Sequence, residues 1–155
     1  MKIEKMIKPE QQIISIHTET PVAKLPELIG PSFMKLVDYI KKEGAEVVSM
    51  PFVSYQNLKD DGQVDGDLVK VEIGFPINRP IEDTTEFKCY VLPSFKAVTA
   101  LFKGSYEELT APYTEMLAYI DEEGGSFTGR CYEYYLSDEE IDADQQETLI
   151  EIPYQ

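Results

Sequence analysis

A chain that repeats itself has few ways to fold, because each copy must form the same supersecondary unit and the copies must then cover one another's apolar faces. Setting "YIKKEGAEVVSMPFVSY" over "YIDEEGGSFTGRCYEYY" aligns Tyr39 with Tyr119, Ile40 with Ile120, Glu43 with Glu123, Gly44 with Gly124 and Tyr55 with Tyr135, each pair 80 residues apart. Upstream, "IEKMIKPEQQIISI" lies over "FKCYVLPSFKAVTA" at a spacing of 84, with Ile3 on Phe87 and Pro9 on Pro93. Four residues of loop account for the change of register. The 155 residues therefore read as one domain built from one unit used twice, at about 1–77 and about 85–155. That length buries roughly two thirds of the unfolded surface in a single core.

Within each unit the apolar periodicity separates helix from strand. Phe33, Leu36, Val37 and Ile40 fall at helical spacing, as do Tyr113, Met116, Leu117 and Ile120, so each unit carries one helix with one apolar stripe. Pro31 and Pro112 sit near the expected helix starts, where a missing N–H costs little, and Gly44 and Gly124 follow the last turns as left-handed caps. Strands are expected around Val48 to Tyr55 and Arg130 to Leu136. After each comes an acidic loop, "NLKDDGQVDGD" or "SDEEIDADQQE", and a final strand, "LVKVEIGFPI" or "TLIEIPY". In the first of these, Val69, Val71, Ile73 and Phe75 alternate with Lys70 and Glu72, the mark of a sheet with one covered face. Each unit reads β-β-α-β-β, and two make an α+β fold: an antiparallel sheet assembly with two long helices and a pseudo-twofold axis. Such an axis brings equivalent elements to one central cleft, a common place for a ligand.

Charge and composition narrow the function. A formal charge of −15, from 29 acids against 14 bases, opposes binding to a polyanion, so no direct nucleic-acid contact is expected. No apolar run approaches the roughly 20 residues that span a bilayer, and "MKIEKMIKPEQQ" has no signal-peptide core, so the reading is a complete cytoplasmic protein without membrane contact. Cys89 and Cys131 are too few for a disulfide framework and lack metal-ligand spacing, and are expected reduced and partly buried. His17, the only histidine, reads as an ordinary strand or surface residue. There is no phosphate-binding glycine loop, no nucleophile elbow and no metal cluster, so no cofactor is expected.

One stretch resists the bland reading. "CYEYYL", residues 131–136, places Glu133 among Tyr132, Tyr134 and Tyr135. Aromatic residues favour a half-buried pleated surface, whereas an ionised carboxylate wants water or a cation. An isolated glutamate in an edge strand is most simply solvated.

The second half resembles the GyrI-like small-molecule-binding domain, the effector-binding domain of multidrug-responsive transcription regulators. The resemblance rests on "YVLPSFKAVTALFKGSYEEL", "YTEMLAYIDEEGG", "YEYYL" and the closing "IEIPY", and it covers essentially the whole chain because that domain is itself a duplication. The first half is more divergent, and "PFVSYQNL" supplies no acid opposite Glu133. The resemblance implies a central pocket for hydrophobic, often cationic compounds, with an acid at its floor, which lands on Glu133, and aromatic walls. Many relatives carry a DNA-binding helix-turn-helix; here the repeat begins at about residue 1, which suggests a stand-alone protein.

Strand alternation divides "CYEYYL" into two faces. Tyr132, Tyr134 and Leu136 are expected to pack under the helices, and Cys131, Glu133 and Tyr135 to line the cleft beside their counterparts Val53 and Tyr55. A carboxylate between Tyr135 and Tyr55 suits a delocalised cation, each ring adding about 0.5–2 kcal/mol of cation–π attraction. The candidate ligand-binding set is Glu133, Tyr135, Tyr55, Tyr113, Phe33 and Val53, for a lipophilic or cationic aromatic small molecule. Without a cation, burial raises the Glu133 pKa and calls for water or a shared tyrosine hydroxyl. Two alternatives follow from the resemblance. Some family members hydrolyse cyclopropanoid toxins, for which Glu133 would activate water and Tyr135 or Tyr55 would donate to the developing oxyanion. Others inhibit DNA gyrase, which would make the acidic loops at Asp60 to Asp67 and Asp138 to Glu147 a surface for a protein partner.

Overall fold

The structure, a computed structural model, describes residues 1–137 and 141–155. The element order repeats itself: β1 (Ile3–Lys8), β2 (Gln11–Thr20), α1 (Leu25–Lys42), β3 (Phe52–Tyr55) and β4 (Val69–Pro76), then β5 (Lys88–Leu92), β6 (Phe95–Lys103), α2 (Thr110–Glu122), β7 (Cys131–Tyr135) and β8 (Glu147–Pro153). All eight strands join one antiparallel sheet in the order β1-β6-β8-β7-β3-β4-β2-β5. Exchanging each strand with its counterpart in the other copy gives the same order read backwards, so a pseudo-twofold axis passes between β3 and β7. Val53 faces Glu133 across that axis, the two residues that the 80-residue repeat equates. The first strand of each copy pairs within the other copy, β1 on β6 and β5 on β2. Neither copy completes its sheet alone.

The connections dictate curvature. β1 lies at one edge and β2 six positions away, about 29 Å apart in a flat sheet at the usual strand spacing. Only Pro9 and Glu10 join them, and three Cα–Cα steps reach about 11 Å at most. Pro93 and Ser94 impose the same limit on β5 and β6. The sheet therefore curls into a half-barrel, and its inner face closes on itself: Phe95 stacks on Tyr132 at 5.4 Å, and the Lys8 ammonium lies 4.9 Å over the Tyr134 ring.

Both helices dock on the outer face. Leu36 and Ile40 of α1 pack on Ile14, Ile16, Val71 and Ile73, and Met116 and Ile120 of α2 on Val98, Ala100, Ile150 and Ile152. Each such fully buried side chain stabilises the fold by roughly 1.5–3 kcal/mol. Gly44 and Gly124 take the expected left-handed conformation after the helices, at φ 71° and 79°.

Several local expectations are corrected. Pro31 lies inside α1, because Pro26 supplies an earlier start and the added turn packs Leu25, Leu28 and Ile29 on the core. β3 starts at Phe52 rather than near Val48, since Pro51 cannot donate to a ladder. Glu72 belongs to a strand covered on both faces and is 1% exposed, because the curl shuts away the face that alternation marks as polar. The acids Asp138, Glu139 and Glu140 of the second loop fall outside the described residues.

Candidate functional site

β7 is the fourth of eight strands, so Glu133 is central rather than on an edge, and it is 2% exposed. The two faces of "CYEYYL" are reversed from expectation. Cys131, Glu133 and Tyr135 face the helices, whereas Tyr132 and Tyr134 point to the inner face among Ile13, Phe52 and Leu92. Alternation sorts residues into two sets but carries no information on which set a helix covers.

Four of the six expected residues meet around one carboxylate. Tyr135 donates to Glu133 Oε1 at 2.7 Å, and Tyr113, reaching down from α2, donates to Oε2. The Tyr113 hydroxyl also lies 3.1 Å from the Cys131 sulfur. The Tyr55 and Tyr135 hydroxyls, 80 residues apart in sequence, stand 3.0 Å from each other. Val53 sits beside Glu133 and is fully buried. Phe33 is not brought to the carboxylate; its ring packs edge-on against Phe75 at 5.6 Å beneath α1.

The electrostatics follow from burial without a counter-ion. Among the described residues no Lys, Arg or His forms an ion pair with Glu133. Burial pushes its carboxyl above the ordinary 4.5, and the bonds from Tyr113 and Tyr135 draw it part of the way back. Burial first, and then the neighbouring acid, hold Tyr55 and Tyr135 well above 10; for Tyr113 burial is joined by Cys131 and then Glu133. The three phenols are therefore neutral hydrogen-bond donors at physiological pH. Burial and then Glu133 also push the Cys131 thiol up, so it is no nucleophile.

Walls missed by the sequence reading complete the site. Tyr106, in the short 3-10 turn Tyr106–Glu108 that follows β6, packs on Tyr135 with ring centroids 5.3 Å apart. Thr148 pairs across strands with Tyr135, and its Oγ1 is buried with no hydrogen-bond partner among the described residues. The β3–β4 loop folds over α2, its turn held by Asn57, and a Cβ on Gly62 would stand 3.2 Å from Leu117 and 3.9 Å from the Tyr113 Cβ. At φ +85° that position favours glycine as well. The acids of this loop, Asp60, Asp61, Asp65 and Asp67, are exposed.

Other polar groups lie apart. A shallow groove beside α1, lined by Ile16, His17, Ser32, Lys35 and Glu86 among others, does not include Glu133. No group of three His, Cys, Asp or Glu side chains among the described residues could hold a metal ion, and no helix there is long and apolar enough to cross a membrane.

With this geometry in view, the family model for the GyrI-like small molecule binding domain matches residues 1–155. The chain belongs to that family. Among solved structures, EcmrR in a complex with DNA superposes with a TM-score of 0.84 at 20% identity over 99% of this chain, which spans 57% of that one. The C-terminal domain of EcmrR alone gives 0.76 at 20% identity, covering 99% and 97%. A hydrolase from Listeria innocua gives 0.67 at 16% identity, covering 99% and 92%, and SAV2435 bound to tetraphenylphosphonium gives 0.60 at 11%, covering 100% and 94%. At these identities the likeness is one of fold. No curated protein matches the chain.

Proposed function

We propose that this GyrI-like domain binds lipophilic, cationic aromatic compounds between its two helices, with Glu133 as the charge anchor and Tyr135, Tyr55 and Tyr113 as the aromatic walls. Val53 and Phe33 supply the apolar side from the first copy. One observation carries the reading: Glu133 is 2% exposed, and among the described residues two neutral hydroxyls donate to it. Removing a carboxylate from water without a cation costs several kcal/mol after relaxation, and a bound cation would recover much of that. The tetraphenylphosphonium held by SAV2435, a protein of the same fold, is a ligand of this chemistry and supports the choice. One charge in an apolar pocket suits micromolar affinity, about −8 kcal/mol.

The test is a thermal-shift and titration series with matched cationic and neutral polyaromatic compounds on the wild type and Glu133→Gln. The expected result is a preference for cations of about 10-fold or more that the variant abolishes. Equal losses for both ligand classes would remove Glu133 from the role of anchor. Recovery of each compound after hours of incubation separates a binder from a hydrolase using the same Glu133 and Tyr135, since consumption by the wild type and not by Glu133→Gln marks turnover.

A further inference from the structure

Around Glu133, three matched positions of the two copies differ in polarity in the same sense. β3 and β7 equate Val53 with Glu133, the helices equate Phe33 with Tyr113, and the ladders equate the Tyr55–Val71 pair with the Tyr135–Thr148 pair. In each case the first copy is apolar and the second carries an oxygen. Two of these oxygens serve each other, since Tyr113 donates to Glu133. Thr148 does not share in this: it is 0% exposed and its Oγ1 has no hydrogen-bond partner among the described residues. An unpaired buried hydroxyl is destabilising, and valine, present at the matched position, would remove that penalty.

Hydrogen-bond direction sharpens what is missing. Tyr135 has one proton, given to Glu133, so Tyr55 must donate to Tyr135. The chain of donors runs toward the carboxylate, and the Tyr55 oxygen is left as an acceptor. Glu133 accepts only two bonds in this network and has lone pairs to spare. Thr148 lies on the same face of β8 as Ile150, the cross-strand neighbour of Glu133, which makes it a diagonal neighbour of the acid at about 7–8 Å between backbones. The groups a head group would meet are therefore a carboxylate, a phenol oxygen that accepts, and a hydroxyl free to accept.

From this hydrogen-bond polarity we infer that the site is built for a cation bearing N–H donors, a protonated primary or secondary amine or an amidinium on an aromatic body, with Thr148 as the residue that selects it over a quaternary onium. This rests on the reading of Glu133 as charge anchor. A quaternary ion supplies the charge but leaves the Thr148 hydroxyl and the acceptor lone pairs of Tyr55, whose proton is already given to Tyr135, without a donor. An ammonium satisfies both, and sites with built hydrogen-bond partners discriminate strongly against ligands that lack them.

The experiment is isothermal titration of the whole chain at neutral pH with 4-biphenylmethylammonium and its N,N,N-trimethyl analogue. The ammonium is expected to bind about 10-fold more tightly than the trimethyl compound. Thr148→Val should erase that preference by weakening the ammonium more than the trimethyl compound, and Thr148→Ser, which keeps the hydroxyl, should restore it. Equal or tighter binding of the trimethyl compound overturns the inference, as does an equal loss for both ligands in Thr148→Val. If both cations bind and both weaken in Glu133→Gln but show no preference, the donor inference alone fails. If neither binds, or Glu133→Gln changes nothing, the charge-anchor reading fails as well.

Discussion

Two glutamates are buried on opposite faces of the same sheet, and they have been given opposite surroundings. Glu72, on the inner face, accepts from Ser15 at 2.7 Å, from Gln56 at 2.8 Å and from Tyr90, and it lies 3.3 Å from His17 Nε2. Burial alone would raise its pKa, but the bonds from His17, Tyr90 and Ser15 outweigh burial and hold the carboxyl below 4.5. Glu133, on the outer face, has two hydroxyls and, among the described residues, no cation, and its pKa stays raised. Cross-strand pairing places Glu4, Thr99, Glu151, Tyr132, Ser54, Glu72 and His17 in a single row on the inner face, and there the second buried acid, Glu151, also has a cation, Lys8 at 3.2 Å. The inner acids are completed by the fold. The outer one has no cation beside it among the described residues.

The comparison breaks most readily at Glu72. Truncation by Glu72→Ala strands Ser15, Tyr90 and Gln56 in the inner face and is expected to cost about 3 kcal/mol in urea unfolding. Glu133→Gln, which removes a carboxylate without a counter-ion and keeps its shape, is expected to change stability at neutral pH by less than about 1 kcal/mol. A loss at Glu133 as large as at Glu72 would mean that both acids are structural.

Ligand affinity should respond to pH through one of the two acids only. On the proposal that a bound cation pairs with ionised Glu133, acidification through its raised pKa should weaken cation binding by up to about 10-fold per pH unit. Titrations between pH 4 and 8 test this. Glu72→Gln should leave the profile in place, and a flat profile in the wild type would show that the bound state does not need the ionised acid.

The smallest effect is in the sign of the pH dependence of stability. Because the folded value of Glu133 lies above 4.5, its contribution is complete below that pH and is lost as the pH rises through the raised value. Glu72 behaves in the opposite sense: its contribution is present above 4.5 and lost as the pH falls through the lowered value. His17, raised above 6.5 chiefly by its bond to Glu72, adds stability below 6.5 that is lost as the pH rises through its own folded value. Each slope is at most about 1.4 kcal/mol per pH unit. Unfolding free energies across pH should therefore lose the Glu133 part of the decline above 4.5 in Glu133→Gln, with the His17 part above 6.5 kept. In Glu72→Gln they should lose both the decline on the acid side of 4.5 and the His17 part.

The repeat, read from matched residues such as Tyr55 and Tyr135 or Gly44 and Gly124, was enough to determine the element order, the placing of one helix in each copy and the symmetry that brings Val53 face to face with Glu133. Those properties are local or follow from duplication, because periodicity and capping act over a few residues and two copies of one unit favour a twofold arrangement. The meeting of Glu133 with Tyr135, Tyr55 and Tyr113 was also within reach, since all four lie on apolar stripes or on one strand face.

Other features were settled only by tertiary structure. Which face of β7 the helices cover cannot be had from alternation, and so Tyr132 and Tyr134 went to the inner face against expectation. Exchange of β1 and β5 between the copies, together with two-residue links, curls the sheet and buries Glu72, a residue whose alternation with Val71 and Ile73 marks it for solvent. The unpaired hydroxyl of Thr148 emerges only when register sets it against Tyr135 and the matched pair sets Tyr55 against Val71. Sequence spacing fixes what a residue can be next to along its own element; pairing partners and burial depend on long-range register, which no short window of the chain contains.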